Sequence, residues 1–195
     1  MARKDFKIIA EWVKQDSRIL DLGCGDGTLL KILNKERNSS GYGVDTSIDK
    51  IIKSFDNNIN VINADINNRL DYFSDNSFDY VILAQSLQVV NDPVDLIKEM
   101  LRIGNEVIIS FPNMGYWKSR FYLFLKGQMP VTKELPYSWH STPNIHLCTI
   151  KDFKQMCRTN NFTIVDEVIS SGKDSTVSTG YFSNLLGESA IFKVK

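Results

Sequence analysis

Residues 19–27 read ILDLGCGDG, a short apolar strand that contains an acid and runs into a loop with glycine at every second position. Glycine allows the backbone to approach a ligand closely and to turn directly into a following helix. The stretch therefore predicts a strand, a ligand-binding loop and a helix. A tight strand-to-helix turn without a ligand has the same glycine spacing, so the prediction needs support from the rest of the chain.

Short apolar runs alternate with helical patterns along most of the sequence. The predicted strands cover residues 19–22, 42–44, 61–62, 80–83 and 107–110. The predicted helices between them cover 28–33, 48–55 and 94–103, the last with Asp92 as its N-cap and Pro93 at its first position. This alternation is typical of a parallel, doubly wound α/β sheet.

The C-terminal part of the sequence departs from this rhythm. A helix is predicted over 151–160, where Thr149 and Asp152 have the spacing of a capping box. Residues 162–169 and 190–194 then alternate like two strands, with no convincing crossover helix between them. Parallel neighbours need such a crossover, so this pair is predicted to be antiparallel. The ending favours a single Rossmann-like domain over residues 1–195, with the class I methyltransferase fold rather than that of a nicotinamide dehydrogenase.

Asp21 distinguishes between two classes of cofactor. It precedes Gly23 by two residues, where a dinucleotide would place its pyrophosphate and a carboxylate would repel it. S-adenosylmethionine carries an ammonium and a sulfonium and no phosphate, so an acid at this position favours its binding. We therefore predict S-adenosylmethionine, or S-adenosylhomocysteine, as the cofactor.

Polar residues also follow the next three predicted strands. Asp45 lies about 20 residues past the glycine loop, where an acid accepts hydrogen bonds from ribose hydroxyls. Asp65 is placed for the adenine amino group, and Gln85 follows the fourth strand. The alternative is a local role such as capping the next helix, which fits Asp65 and Gln85 equally well. The predicted cofactor-binding residues are Asp21, Gly23, Cys24, Gly25, Gly27, Asp45, Asp65, Ile66 and Gln85.

The composition argues against several kinds of partner. Lys plus Arg and Asp plus Glu both number 23, so the net charge of +0 provides no global field for nucleic acid or an anionic membrane. The sequence shows no secretory signal pattern and no run of about 18 apolar residues, so we expect a cytoplasmic protein without a membrane span. Cys24, Cys148 and Cys157 form no C-x-x-C pair, so we expect neither disulfides nor a bound metal.

Two catalytic patterns of methyltransferases are missing. No cysteine lies at 85–90, after the fourth strand, where thiolate attack on a ring carbon would require one. After the fifth strand the chain reads FPN at 111–113, in place of the Asn-Pro-Pro-aromatic element of enzymes that methylate the amino groups of adenine or glutamine. His140 and His146 are candidates for a general base, although a structural hydrogen bond is the commoner role.

Residues 111–148 form an aromatic-rich insert. Eight aromatic residues fall between Phe111 and Trp139, several at helical spacing beside basic side chains. A helix packed on the core would explain them, as would a lid or a partner surface, since aromatic residues and arginine dominate interface hot spots. A membrane-surface helix is disfavoured because the stretch is short and has few positive charges. The predicted partner or substrate surface comprises Trp117, Arg120, Tyr137, Trp139, His140 and His146.

The sequence resembles a known family, the methionine biosynthesis protein MetW group. The matching motifs are LDLGCGDG at 20–27, SFPN at 110–113 with Trp117 and Arg120 after it, MPVTK at 129–133, LPYSW at 135–139 and TPNIHLCT at 142–149. The first is shared with many methyltransferases, whereas the stretch 129–149 is specific to this family. The resemblance runs from about Asp5 to the C-terminus. It implies a bacterial protein of methionine synthesis that acts in a complex with homoserine O-acetyltransferase.

Two functions remain open at this point. In the first, the chain activates the acetyltransferase and binds S-adenosylmethionine as a structural ligand or an end-product signal, since methionine is the precursor of that cofactor. In the second, it is an active methyltransferase whose insert closes over a small acceptor. Alignment of the nucleophile, methyl carbon and sulfur requires few dedicated residues, so the missing motifs do not exclude catalysis.

Overall fold

The computed structural model of the chain describes residues 3–132, 135–171, 175–177 and 180–195. Lys133 of the MPVTK motif and the next residue of the insert lie outside the described residues. The strands are β1 Arg18–Leu22, β2 Ser40–Asp45, β3 Val61–Asn63, β4 Phe78–Ala84, β5 Gly104–Pro112, β6 Ile164–Ser171, β7 Ser175–Val177 and β8 Ser189–Val194. The α-helices are α1 Lys4–Trp12, α2 Thr28–Arg37, α3 Ile48–Asp56, α4 Pro93–Ile103, α5 Trp117–Lys126, α6 Ile150–Thr159 and α7 Ser183–Leu186.

The strands form one sheet in the order β3-β2-β1-β4-β5-β8-β6-β7. Neighbours among β1 to β5 are parallel, whereas β8 runs antiparallel to both β5 and β6. This confirms the predicted Rossmann-like α/β fold, with a mostly parallel sheet and an antiparallel C-terminal strand. No sequence pattern predicts β7 or α7, because three or four residues are too few to show a period.

Helices cover both faces of the sheet. On one face α1 and α2 pack on strand residues that include Ile19, Ile82 and Ile108. On the other face α4 and α6 pack on alternate residues such as Leu20 and Val81. Successive side chains of a strand point to opposite faces, so the central strands contribute to both cores and read as continuous apolar runs. Within the described ranges, no helix is long and apolar enough to cross a membrane.

The insert begins within β5 and contains α5. A core position for α5 is wrong, because Ser119 is its only buried residue. Phe121, Phe124 and Leu125 are 55%, 83% and 63% exposed. The parts of 127–149 that the structure describes contain neither helix nor strand. The apolar side chains of α5 therefore face outward, whereas Phe111 and Leu135 of the insert are buried. Two interpretations of α5 remain, a lid and a partner surface.

Asn113 of the SFPN motif anchors the end of β5, and it is 3% exposed. Its Nδ2 donates to the carbonyl oxygens of Asn184 at 3.0 Å and Gly187 at 2.8 Å. Its Oδ1 accepts from the backbone N–H groups of Gly115 and Ile150. One amide side chain thus connects β5, the start of α6 and the segment before β8.

The N-caps predicted at Asp92 and Thr149 are confirmed. Asp92 Oδ1 accepts from the backbone N–H groups of Val94 and Asp95, both at 3.0 Å. Thr149 and Asp152 form the complete capping box of α6. These short-range signals are therefore reliable guides to where the two helices begin.

Asp92→Ala should lower the free energy of unfolding by about 1 kcal/mol, because two N–H groups of α4 lose their acceptor. Urea denaturation measures this change. Asp95→Ala is the matched control, since it removes an exposed carboxylate of the same helix that pairs with Lys98 at 3.1 Å. We expect about 0.5 kcal/mol or less for the control. Equal losses in the two variants would contradict a specific role for the cap.

Candidate cofactor site

Three of the predicted cofactor residues lie at the carboxyl edge of the parallel strands. Asp21 in β1 lies beside Gly43 in β2 and Ile82 in β4. Asp45 is the last residue of β2, and Gln85 directly follows β4. Open α/β sheets bind ligands in the crevice outside these strand ends. The structure thus brings the three side chains to the edge where a ligand is expected.

Asp21 has a buried carboxyl group with one unsatisfied oxygen. It is 2% exposed, and its Oδ1 has no hydrogen-bond partner in the described part of the chain. Burial raises the pKa of Asp21 to about 8, and the positive charge of Arg3 opposes only part of this rise. Burying a carboxyl without a partner is costly. A hydrogen-bond donor or a cation supplied by a ligand would satisfy this oxygen.

Asp45 fixes the glycine loop in place. Its Oδ2 accepts from the backbone N–H of Gly25 and its Oδ1 from that of Ser47, both at 2.8 Å. Asp45 is only 8% exposed, so these bonds are shielded from water. Each carboxylate oxygen has a second acceptor site. A hydrogen bond from a ribose hydroxyl is therefore compatible with the loop contacts.

Two glycines make room for the loop. Gly23 has a φ of +71°, and a Cβ there would lie 2.6 Å from Ser86 Oγ. A Cβ on Gly43 would overlap Sγ of Cys24, so the neighbouring strand also requires glycine at the point of contact. Burial raises the pKa of the Cys24 thiol, which makes this residue a packing element rather than a nucleophile. Gly25 and Gly27 also have positive φ values.

The predicted adenine end of the site is less enclosed. Asp65 is exposed, and its Oδ1 accepts from the backbone N–H and Nδ2 of Asn67, both at 2.9 Å. Such a local turn fits the alternative interpretation of Asp65, a structural role within its own segment rather than a contact with the cofactor. Ile66 is 9% exposed and packs in the core. Gln85 has a φ of +61°, a costly conformation for a residue with a side chain that often occurs at functional sites.

The predicted set omits three residues that lie at this edge, Arg3, Asp5 and Ser110. Asp5 is 6% exposed and accepts from Ser110 Oγ at 2.9 Å. Arg3 donates to Asp5 through Nε at 3.1 Å and Nη2 at 2.6 Å. Asp5 does have a sequence signal, because it lies three and four residues before Ile8 and Ile9, on the face of α1 that packs on the sheet.

The two histidines of the insert have different surroundings. His146 Nε2 lies 3.2 Å from the carbonyl oxygen of Asn91, and the backbone N–H of His146 donates to the carbonyl oxygen of Gln88. His140 is exposed and contacts the Trp139 ring edge to face, with 5.7 Å between ring centroids. These contacts favour a structural role for His146. Gln88, whose backbone binds His146, is 2% exposed, and no sequence pattern predicted this buried position.

The remaining cysteines are thiols rather than thiolates. Burial raises the pKa of Cys148 to about 12 and that of Cys157 to about 11. Neither is therefore an activated nucleophile at neutral pH. In the ranges that the structure covers, no three His, Cys, Asp or Glu residues are grouped as metal ligands would be.

Solved structures share this fold. A SAM-dependent methyltransferase from Thermotoga maritima matches with a TM-score of 0.69 at 18% identity, over 97% of this chain and 86% of that one. Magnesium protoporphyrin IX methyltransferase from Synechocystis PCC 6803, solved with bound SAM, matches with a TM-score of 0.61 at 14% identity, over 98% and 77%. The chain therefore has the Rossmann-like fold of the SAM-dependent methyltransferases.

Within that class, the chain belongs to the family described as methionine biosynthesis protein MetW, which matches residues 3–194. A relative from Rhodopirellula baltica, the bifunctional methionine biosynthesis protein MetXA/MetW, is 36% identical over 173 residues. That match covers 84% of this chain and 28% of the relative, which is a much longer protein. The family resemblance seen in the sequence motifs is confirmed.

Asp21→Asn should raise the melting temperature at pH 8. An aspartate ionises near pH 4 when unfolded, whereas the pKa of Asp21 in the folded protein is about 8. The folded state then binds its proton more tightly, so stability is lost as pH rises from about 4 to about 8. Asparagine cannot ionise and avoids this loss. The difference from wild type should therefore shrink towards about pH 5, as thermal melts at a series of pH values would measure.

Asp71→Asn provides the control for this pH profile, because Asp71 has a side chain that is 67% exposed. Its melting curve should follow that of wild type at each pH. Wild type and Asp21→Asn with parallel curves throughout would contradict the assignment of a raised pKa to Asp21.

Proposed function

We propose that this chain binds S-adenosylmethionine or S-adenosylhomocysteine and acts in methionine biosynthesis together with homoserine O-acetyltransferase. The main support for this ligand is Oδ1 of Asp21, which lies beside the glycine loop and has no hydrogen-bond partner among the described residues. It fits a ligand that has an ammonium and no phosphate at this position. A structural relative with bound SAM supports the same ligand.

In this proposal, each part of the ligand contacts named residues of the chain. Asp21 accepts hydrogen bonds from the ammonium, directly or through water, and the glycine loop passes close to the ligand. Asp45 uses its remaining acceptor sites for the ribose hydroxyls. Asp65 and Ile66 meet the adenine, and Gln85 borders the crevice after β4. When bound, S-adenosylmethionine supplies a methyl group activated by its sulfonium, and the residues of the chain bind and orient it.

The proposed partner follows from family membership. The Rhodopirellula baltica relative is named as a bifunctional protein, MetXA/MetW. Linking two modules raises the effective concentration of each at the other, which benefits modules that associate. We infer the equivalent association between separate proteins here, with homoserine O-acetyltransferase as the second protein. The cofactor then serves as a structural ligand or as a signal of sufficient pathway output.

The insert provides a surface for this association. Trp117, Tyr137 and Trp139 are 44%, 52% and 75% exposed. Large apolar side chains exposed together are typical of protein interaction sites. Arg120 is exposed as well, but its Nε donates to the carbonyl oxygen of Gly115 at 2.6 Å. Part of its guanidinium therefore holds the start of α5, and the rest is available to a partner.

A depression of about 510 Å³ adjoins the end of α5. Its lining includes Tyr122, Met129, Val131, Trp139 and His140. Aromatic and apolar residues around a concave site are typical of places where a partner inserts a side chain. This depression connects α5 with the Trp139 region and makes them parts of one proposed docking surface.

One observation favours a second candidate function, methyl transfer to a small acceptor. A cavity of about 140 Å³ lies beside the 3₁₀ turn Leu87–Val89 that follows β4, and His146, Cys148, Phe153 and Met156 contribute to its lining. A cavity of about this volume accommodates a benzene-sized group. Assays of acetyl transfer and methyl transfer, with and without the acetyltransferase, distinguish the two functions.

Wild type should bind S-adenosylhomocysteine in isothermal titration calorimetry, and Asp45→Ala should weaken binding by roughly 1 to 3 kcal/mol through loss of the ribose acceptor. Asp26→Ala is the matched control, because Asp26 lies in the same loop and accepts from Thr28 Oγ1 at 2.6 Å. The control should lower stability while affinity stays unchanged. Unchanged affinity in Asp45→Ala would show that the ribose lies elsewhere.

Trp117→Ala and Trp139→Ala should each weaken the complex with homoserine O-acetyltransferase about thirtyfold, since interface anchors cost about 2 kcal/mol on truncation. Both side chains are substantially exposed, so melting temperature and cofactor affinity should stay close to wild type. Phe55→Ala is the control, because Phe55 is 63% exposed on α3, the helix that precedes the edge strand β3. Wild-type complex affinity in both Trp variants would contradict the proposed docking surface.

A further inference from the structure

Arg3, the N-cap residue of α1, brings a positive charge to the edge of the proposed cofactor site. The guanidinium of Arg3 lies over the Phe6 ring, 4.3 Å from its centroid, and donates to both carboxylate oxygens of Asp5. Asp5 in turn accepts a hydrogen bond from Ser110 Oγ, two residues before the end of β5. The side chain of Arg3 is 47% exposed, yet its guanidinium is held in one orientation. Such preorganisation lowers the entropic cost of binding an anion.

Arg3 and Asp21 lie on the same face of the sheet. Asp21 projects from the same face of β1 as Ile19, and Ser110 from the same face of β5 as Ile108, because each pair is two residues apart. Helix α1 packs on that face. The charge of Arg3 also lowers the pKa of Asp21, against the larger effect of burial.

A ligand's ammonium beside Asp21 favours the ionised form of its carboxyl, so Arg3 and Asp21 together offer complementary charges to such a ligand. Within the described ranges, the bonds from Arg3 to Asp5 use Nε and Nη2, so the Nη1 amino group has donors for another acceptor. Oδ1 of Asp21 has no partner among the residues that the structure describes. An α-amino acid has a carboxylate and an ammonium close together, which is the matching pair of charges.

We propose that Arg3 binds the carboxylate of the ligand's amino-acid end while Asp21 accepts its ammonium. This inference rests on the proposed function and identifies Arg3 as the residue that selects ligands with an intact amino-acid end. Asp5 and Ser110 are positioning residues in this account. Ser110 Oγ also accepts from the backbone N–H of Gln85 at 3.2 Å, which connects the loop after β4 to Arg3.

Isothermal titration calorimetry with two probes tests the inference. S-adenosylhomocysteine has the amino-acid end, whereas 5′-methylthioadenosine has the same nucleoside and thioether sulfur without it. Arg3→Gln should weaken binding of S-adenosylhomocysteine roughly tenfold to a hundredfold, the range for loss of a charge-assisted hydrogen bond. Its affinity for 5′-methylthioadenosine should stay within about twofold of wild type.

Two further variants make the result specific. Lys7→Gln removes an equal charge from an exposed position one turn later in α1, and it should change neither affinity. Arg3→Lys keeps the charge but lacks the planar fork, so it should restore only part of the S-adenosylhomocysteine affinity. Melting temperatures of all variants are measured alongside, because Arg3 also contacts Phe6.

The outcomes separate this inference from the function on which it rests. If wild type binds S-adenosylhomocysteine and Arg3→Gln binds it equally well, the inference is wrong and the proposed function stands. A parallel loss for both probes also overturns the inference, because Arg3 then supports the site as a whole. If wild type binds neither probe, the proposed function fails and this inference fails with it.

Discussion

The burial of the Asp21 carboxyl at the end of β1 is the constraint on which the proposed site depends. Parallel pairing on both sides of β1 removes this residue from water, and one of its oxygens finds no partner in the described chain. A protein that only needed a strand-to-helix turn would gain stability from an apolar residue there. In the proposed function, the fold keeps this carboxyl buried at a cost in stability because the ligand supplies its hydrogen-bond donor.

The insert is connected to the same region by backbone hydrogen bonds. The carbonyl oxygen of Gln88, just after β4, accepts from the backbone N–H groups of Ile145 and His146. Asn113 holds the other end of the insert against the start of α6 and the segment before β8. A conformational change in the loop after β4 can therefore be transmitted to the insert, and so to its exposed aromatic residues, through these hydrogen bonds. Such a route suits a protein that reports cofactor binding to a partner, and it equally suits a lid.

The chemistry of the described side chains is more suited to binding than to covalent catalysis. Burial keeps Cys148 and Cys157 protonated at neutral pH, and Cys24 is a packing residue of the glycine loop. His146 is engaged with the backbone of Asn91. Methyl transfer that relies on alignment alone stays compatible with this arrangement, because it requires an enclosed acceptor rather than a nucleophile or base supplied by the chain.

The sequence by itself determined the succession of strands β1 to β6 and β8 with helices α2, α3, α4 and α6 between them, the glycine loop, the acids at the strand ends and the family. These features follow from local periodicity, from short-range caps and from the rule that parallel strands end at one edge. Only the tertiary structure decided that Oδ1 of Asp21 lacks a partner among the described residues, that α5 faces solvent, and that Arg3 and Asp5 border the proposed site. The bond between Asp5 and Ser110 joins residues 105 positions apart. No local pattern encodes such a contact, because it arises only when α1 packs across the completed sheet.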